Sequence, residues 1–225
     1  MFIVIKPRAF ILLAVLAPCP AYAADGDFQA WTSSTVSFAT SDRVTLAVEG
    51  QARWTDDASR LGQALVRPSV SLKLGKTTSA AIGYAYVFTN PVGPAESREH
   101  RLWQQLSYEL GSTDGGLKVT ARSRLEQRHF EGFGQTGWRL RQQVRATKPL
   151  DNKISVVAWS EVFVSVNETA WGQRKGLDRW RNAVGVNIPI KDNMTFEPVY
   201  IHQWVNRRDT DRMDHVISLA LNAKF

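Results

Sequence analysis

Residues 117–130, LKVTARSRLEQRHF, alternate between apolar and charged side chains over nearly their whole length. One face carries Leu117, Val119, Ala121 and Leu125. The opposite face carries Arg122, Arg124, Glu126 and Arg128. A period of two is typical of a β-strand, and this run is longer than an ordinary globular strand of about 5–6 residues. The segment therefore predicts a long strand with one apolar face and one charged face.

The same alternation recurs along the rest of the chain and predicts an all-β protein. The predicted strands cover residues 28–40, 43–55, 64–75, 78–90, 97–111, 116–130, 136–149, 153–166, 178–190, 193–206 and 212–225. The spacers alternate between short turns, as at 75–77 and 191–193, and longer loops, as at 56–63 and 167–177. Outer-membrane barrels have this arrangement, with short periplasmic turns and longer external loops. We therefore expect an antiparallel transmembrane β-barrel of about 10–12 strands.

A water-soluble barrel or sandwich would also alternate, but with its apolar face inward. Three features favour the membrane: the strands reach the ~9–11 residues needed to span it, the N-terminus resembles a secretory signal, and aromatic residues lie near both strand ends. Near the loops these are Trp54, Phe88, Trp138, Trp180 and Trp204. Near the turns they are Tyr108, Phe196 and Phe225.

The first 23 residues are predicted to be a cleaved signal peptide. Lys6 and Arg8 precede an apolar run at 9–17, and Ala21-Tyr22-Ala23 supplies small residues at the cleavage positions. Lipidation at Cys19 is the less favoured alternative, because prolines flank that cysteine. Residues 24–225 then form a single barrel domain, which we expect in the bacterial outer membrane.

Composition excludes several kinds of site in the secreted chain. Cys19 is the one cysteine and would leave with the signal, so no disulfide or thiolate site remains. The formal charge is +7; removing Lys6 and Arg8 leaves 26 basic against 21 acidic side chains, or +5. Secretion argues against nucleic acid as the partner of this basic chain. No metal or cofactor motif is present, and no cofactor is expected.

The number of segments raises a question of closure. Eleven segments are found, whereas single-chain bacterial barrels have even strand numbers. The segments from residue 43 onward form a consistent set of ten. Residues 28–40 could pair at the seam, enter the lumen, or indicate a missed strand.

Several short motifs resemble an uncharacterised family of small bacterial outer-membrane barrels classed as a domain of unknown function. They are Phe28-Gln29-Ala30-Trp31, residues 99–105 (EHRLWQQ), 122–128 (RSRLEQR), Arg139-Leu140-Arg141, and residues 181–185 (RNAVG). The resemblance covers nearly all of residues 24–225. It implies an outer-membrane barrel and no particular activity.

Pairing the strands about their turns predicts a ladder of opposite charges inside the barrel. Glu99 falls opposite Arg128, Arg101 opposite Glu126, Glu126 opposite Arg141, and Arg141 opposite Glu161. The predicted lumen set is Glu99, Arg101, Arg122, Arg124, Glu126, Arg128, Arg139, Arg141 and Glu161. Such a ladder could fill and stiffen the lumen, or leave a positive wall that favours anions.

Two functions of different classes follow, with a third in reserve. The first is a narrow, anion-favouring channel, and the second is a closed structural or interaction barrel that contacts lipopolysaccharide or envelope partners. An embedded hydrolase is third, because the four histidines show no compact nucleophile and base. We therefore do not expect an enzyme. The sequence leaves the solute, the partner and the oligomeric state open.

Two further surfaces are predicted. His202 and His215 fall opposite each other on the apolar face near the external rim, beside Arg207, Arg208 and Arg212. They could serve as amphipathic interfacial residues, or form a site for lipopolysaccharide phosphate that strengthens as imidazoles gain protons.

The C-terminal strand has an apolar face made of Ile217, Leu219, Leu221, Ala223 and Phe225. Phe225 ends in the periplasm in this topology. We expect it to act as the assembly signal read by the barrel-assembly machinery.

Overall fold

The structure, a computed structural model, describes residues 25–93, 95–150 and 153–225. These ranges form eleven β-strands. In chain order they are β1 Asp25–Ala39, β2 Val44–Thr55, β3 Arg60–Lys73, β4 Thr78–Thr89, β5 Ser97–Ser112, β6 Lys118–Phe130, β7 Thr136–Pro149, β8 Ser155–Ser165, β9 Gly176–Lys191, β10 Met194–Val205 and β11 Arg212–Lys224. The predicted signal peptide at 1–23, including Cys19, lies outside the described residues. Within those residues, no helix is long and apolar enough to cross a membrane.

The strands close into one barrel, in which each strand pairs with its neighbours in sequence and β1 pairs with β11. All-β architecture and closure are confirmed. The connections at 56–59, 90–96, 131–135, 166–175 and 206–211 share one end, called the loop end below. The other five connections between consecutive strands share the opposite end, called the turn end. The observed bounds match the predicted strands within a few residues, β3 differing most because it begins at Arg60 rather than 64.

One pair of strands departs from the antiparallel prediction. β1 runs parallel to β11, with a register that extends from Asp25 beside Arg212 to Ser37 beside Lys224. The reason is the odd strand number: successive antiparallel strands bring the eleventh back in the direction of the first. The ten-strand set beginning at residue 43 is therefore incomplete. Of the three possibilities for residues 28–40, pairing at the seam is confirmed.

The C-terminal residue fastens this seam at the turn end. The Phe225 amide donates to the carbonyl of Ser37 at 2.8 Å, and the Ala39 amide donates to the carbonyl of Phe225 at 2.8 Å. The Phe225 ring also stacks on Phe38, with ring centres 5.6 Å apart. Phe225 therefore contributes both backbone pairing and aromatic contact to barrel closure.

The two faces of the sheet differ sharply in polarity. Outward side chains are apolar and accessible, as in Val48 (51% exposed), Ile82 (62%) and Val184 (54%). Inward positions instead hold buried charges, including Glu126 and Asp214, both 0% exposed. A water-soluble barrel has the opposite arrangement, with apolar side chains inside. The alternation in the sequence is thus an apolar outer face and a charged lumen.

Candidate functional site in the arginine-rich lumen

Glu126 on β6 is the centre of an ion-pair network that crosses the lumen. Its Oε2 atom accepts from Nε and Nη2 of Arg139 at 2.9 and 2.7 Å. Its Oε1 atom accepts from Nη1 of Arg141 at 2.8 Å and lies 4.0 Å from Nη1 of Arg101. Three guanidinium groups from β5 and β7 therefore converge on one fully buried carboxylate.

The network extends to both sides of Glu126. On the β5 side, Glu99 accepts from Arg101 at 2.9 and 2.8 Å and from Arg128 at 2.7 and 3.1 Å. On the β8 side, Glu161 accepts from Arg141 at 2.8 Å and from Arg122 at 2.7 Å. These bonds, together with those to Glu126, join strands β5 to β8 into one charged layer.

A further branch extends the network to β9. Arg139 also donates to Asp178 at 3.2 Å, and Asp178 accepts from Arg179 at 3.0 Å. Among the described residues the connected network then holds six arginines and four carboxylates. The excess of guanidinium groups makes the lumen positive.

The predicted ladder pairs form, but not as directly opposed residues. Arg101 lies directly opposite Arg128, and Glu126 lies directly opposite Arg139. The predicted partners are therefore offset by two residues, so they meet as diagonal neighbours, which long side chains can reach. The predicted register is wrong by two residues at each of these turns, while parity and the resulting ion pairs are right.

Arg124, the remaining member of the predicted set, has a different environment. Its Nε and Nη2 atoms donate to Oε1 of Gln105 at 2.9 and 2.6 Å, and its guanidinium lies 4.2 Å from the centre of the Trp103 ring. No carboxylate lies within ion-pair distance of it among the described residues. The sequence placed Arg124 in the lumen without a partner, and the structure gives it an aromatic face and an amide oxygen.

Inward aromatic rings are the feature that the charge pattern did not predict. Phe163 on β8 is 1% exposed and lies under Arg141 at 4.5 Å and Arg181 at 4.7 Å. Trp103 fits the lumen because the facing residue is Gly83, where an added Cβ would come 2.3 Å from the indole ring. Both aromatic residues have the parity of the charged face in their strands, and this was the available signal.

An apolar layer adjoins the network and fills the lumen further. Trp31, Val157, Ala183, Val199, Ile201 and Val216 form one buried cluster, and Leu65, Ala85 and Val87 form another. These side chains point inward from β1, β3, β4 and β8 to β11. Close packing of this kind leaves few spaces larger than a water molecule. The middle of the barrel is therefore filled by both salt bridges and apolar side chains.

The loop at 166–175 covers part of the loop end. The Trp171 ring packs against Phe130 with centres 4.4 Å apart and lies beside Gly137, where an added Cβ would come 2.4 Å from it. Gln173 is buried and donates from Nε2 to the carbonyls of Trp138 and Asn167 at 3.2 and 3.0 Å. This loop therefore forms a roof over the β6 and β7 side of the lumen.

The predicted external rim divides between two faces of the sheet. His202 and His215 pair directly on the outer face, with ring centres 5.6 Å apart, and Tyr200 Oη lies 2.6 Å from Nδ1 of His215. Arg212 points inward, where its Nε lies 2.7 Å from Oδ1 of Asp214, and Arg207 lines an inward cavity at the loop end. Arg208 is exposed on the loop. Because alternate residues of a strand face opposite sides, Arg212 cannot join His215 in one outward site.

Comparison with known proteins gives a family without a known activity. The family model described as protein of unknown function (DUF2490) matches residues 28–214, a range that runs from β1 into β11. The chain belongs to this family. The chain is also similar to an uncharacterized protein of Methylorubrum extorquens, with 33% identity over 203 residues and 88% of each chain covered. The resemblance noted from the motifs is thus confirmed at the level of the family.

Proposed function

We propose that this DUF2490 protein is a lipid-embedded barrel of the bacterial outer membrane whose lumen is closed to solutes at rest. The observation that carries the proposal is the reversed polarity of the sheet, with exposed apolar side chains outside and buried charges inside. The function is that of a structural or binding barrel that contacts outer-membrane lipid, lipopolysaccharide or envelope partners. No residue is assigned a catalytic step.

Strand length and outer-surface chemistry support the membrane assignment. The strands are 11–16 residues long, and a tilted spanning strand needs about 9–11. Contiguous exposed apolar surface of this extent marks an interaction with membrane or protein. Outward aromatic residues such as Trp138 and Trp180 lie near the loop end, and Phe38 and Phe225 lie near the turn end. Aromatic residues at both interfaces are typical of outer-membrane barrels.

The packing of the lumen favours a closed barrel over an open channel. Glu126, Phe163 and Val157 are each no more than 1% exposed although all three point into the lumen. A hydrated solute would have to displace buried ion pairs, and separating buried charges from their partners costs several kcal/mol. Passage through the lumen therefore requires rearrangement of the network.

A narrow, anion-favouring channel is the second candidate, and one observation favours it. The lumen carries more guanidinium groups than carboxylates, and Arg122 and Arg145 are partly exposed to solvent. A positive wall lowers the barrier for anions relative to cations. This channel would conduct only in a state in which the central layer has opened.

Cell fractionation and bilayer conductance test the proposal together. The protein should be recovered in the outer-membrane fraction and should migrate differently on gels before and after boiling, as closed barrels do. In planar bilayers the native protein should give no steady conductance. The double variant Trp31→Ala with Phe163→Ala empties part of the central layer and should conduct. It serves as the positive control, because its current shows that inserted protein is detected in the assay. Recovery in the soluble periplasm would refute the membrane assignment, and steady anion current through the native protein would establish the channel instead.

A further inference from the structure

A solvent-accessible cavity of about 670 Å³ opens at the loop end, beside the part of the lumen that loop 166–175 covers. Loop residues Asp56, Pro91 and Arg207 line its mouth, and Trp31 lies among the inward side chains that line it more deeply. Five arginines and three aspartates line it in all: Arg53, Arg179, Arg181, Arg207, Arg212, Asp27, Asp56 and Asp57. Its volume lies within the roughly 300–1,000 Å³ of small-molecule sites.

Two of these arginines flank Trp31. The guanidinium carbon of Arg53 lies 4.0 Å from the centre of the Trp31 ring, and that of Arg181 lies 4.9 Å from it. Arg181 is only 6% exposed. Stacking on an aromatic face restricts the position of a guanidinium without using its in-plane N–H donors. The two side chains are therefore held in place with donors left for another acceptor.

The acceptors around Arg53 and Arg181 are neutral amides, as at Arg124 and unlike the carboxylates of the ion-pair network. Arg53 donates to Oε1 of Gln51 at 2.9 and 2.6 Å and to Oε1 of Gln63 at 2.8 Å, and Arg181 donates from Nε to Oε1 of Gln203 at 2.6 Å. Neither arginine has a carboxylate within ion-pair distance among the described residues. By contrast, Arg179 has Asp178 at 3.0 Å.

The glutamines are themselves fixed by further bonds, so the donor set is preorganised. Gln63 donates from Nε2 to Thr89 Oγ1 at 2.8 Å, and Gln203 donates from Nε2 to Oδ2 of Asp214 at 2.5 Å. An amide oxygen positions a guanidinium but does not neutralise its charge. Arg181, which is buried, and Arg53, which is half-buried, thus border an open cavity without an ion-pair partner, and they attract an anion because charges in such a site are screened less than exposed ones.

We propose that this cavity binds a small polyanion that carries phosphate or carboxylate groups, held by Arg53 and Arg181. The planar guanidinium fork matches the oxygen spacing of both groups. The aspartates lie toward the mouth: Asp56 and Asp57 are exposed, and Asp27 accepts from Gln29 and from the Asp57 amide. Solvent screens Asp56 and Asp57, whereas Arg53 is half-buried and Arg181 buried beside Trp31, where screening is weaker.

Calorimetric titration of the purified, detergent-solubilised protein with pyrophosphate and with citrate tests the proposal at fixed ionic strength. Both probes should bind saturably to the native protein. Arg53→Gln and Arg181→Gln should each weaken binding by about tenfold or more, because each removes a charge-assisted contact. Arg145→Gln is the matched control: it removes a lumen arginine whose partner is Glu197, away from the cavity, and should change affinity by less than about twofold.

Gel migration before and after boiling verifies that each variant is folded. If a glutamine variant does not assemble, Arg53→Lys or Arg181→Lys replaces it, because lysine retains the charge but lacks the planar fork of donors. A parallel titration with lipopolysaccharide micelles distinguishes the source of the oxyanion. Binding of the micelles but not of pyrophosphate or citrate would overturn the proposal that the ligand is a small soluble polyanion. Absence of saturable binding, or equal loss in Arg145→Gln, would overturn the site itself. Binding in detergent is independent of conductance, so this result and that of the proposed function can fail separately.

Discussion

Replacing Glu126 by glutamine should destabilise the barrel more than any other loss of a single lumen carboxylate. The side chain keeps its shape and loses its charge, while three arginines still converge on it. The amide nitrogen of the new glutamine would have to face a guanidinium donor. Of the three short charge-assisted hydrogen bonds from Arg139 and Arg141, the variant keeps at most two in weaker form, and it adds a repulsive contact between two donors.

The structure sets the size of the effect. Removing one partner of a buried ion pair costs about 3–5 kcal/mol, because the remaining charge is left uncompensated. Here Arg139 keeps Asp178 at 3.2 Å, and Arg141 keeps Glu161 at 2.8 Å. These second carboxylates reduce the loss to the lower end of the range, so we expect about 3 kcal/mol.

Glu49→Gln is the matched control for this measurement. Glu49 also points into the lumen, but it is partly exposed and has one ion pair, with Arg67 at 3.1 Å. Its loss should cost at most about 1 kcal/mol. Urea unfolding of both variants in lipid vesicles, followed by tryptophan fluorescence, gives the two free energies. If Glu126→Gln is no less stable than Glu49→Gln, the network around Glu126 is not a cooperative unit and the reasoning is wrong.

Three further predictions follow from the seam, the lumen and the outer face. Deleting Phe225 should lower the yield of assembled barrel, measured as the heat-modifiable fraction, and an unchanged yield would exclude it as an assembly signal. Gly83→Ala should lower the free energy of unfolding by about 1–3 kcal/mol because its Cβ would overlap the lumen tryptophan that faces it, whereas Gly50→Ala, which meets nothing within 4 Å, should not. Replacing His202 and His215 together by Asn should weaken co-purification of glycolipid and remove its dependence on pH; equal retention by mutant and native protein across about pH 5–8 would disprove a lipid-phosphate role.

Strand positions and faces could be predicted because the alternation of side chains depends only on the residues of the strand itself. Val44, Leu46 and Val48 alternate with polar residues whatever their partners are, and the same holds for most strands of the barrel. The alternation also predicted which charges share the lumen, since parity is retained when two strands pair with an offset of two residues. The lengths of the connections were used to divide them between the two ends of the barrel.

Register could not be predicted in the same way. A count from the middle of each turn placed Arg101 opposite Glu126, whereas the structure places it opposite Arg128. Bulges and turn geometry set the register, and the sheet pairs β5 with β6 through a bulge near Glu109. Pairing of residues 28–40 at the seam was one of three possibilities, and the sequence did not choose among them because closure of the whole barrel decides which strands β1 meets.

The proposed anion site was not predicted from the sequence, for a different reason. Arg53 and Arg181 are 128 positions apart in sequence, and the acids that share their faces, Glu49 and Glu161, form their ion pairs with other arginines. The ladder was derived from pairs of opposite charges, a criterion that does not identify amide partners such as those of Arg53 and Arg181. Glutamines that share parity with an arginine, as Gln51 and Gln63 do with Arg53, were the available signal.

The excess of arginine in the lumen has a physical cost that the fold must offset. Cations without an acid partner are destabilising unless amides, aromatic rings or water compensate them, and here Trp31, Trp103 and Phe163 take part of that role for Arg53, Arg124 and Arg181. A barrel that needed only a filled core could use apolar residues, as it does around Val157. Where Arg53 and Arg181 border the open cavity, the same cost is relieved by any anion that enters. The stability of the barrel and occupancy of that cavity are therefore coupled, and a bound polyanion should raise the free energy of unfolding in proportion to the logarithm of its concentration once it exceeds the dissociation constant.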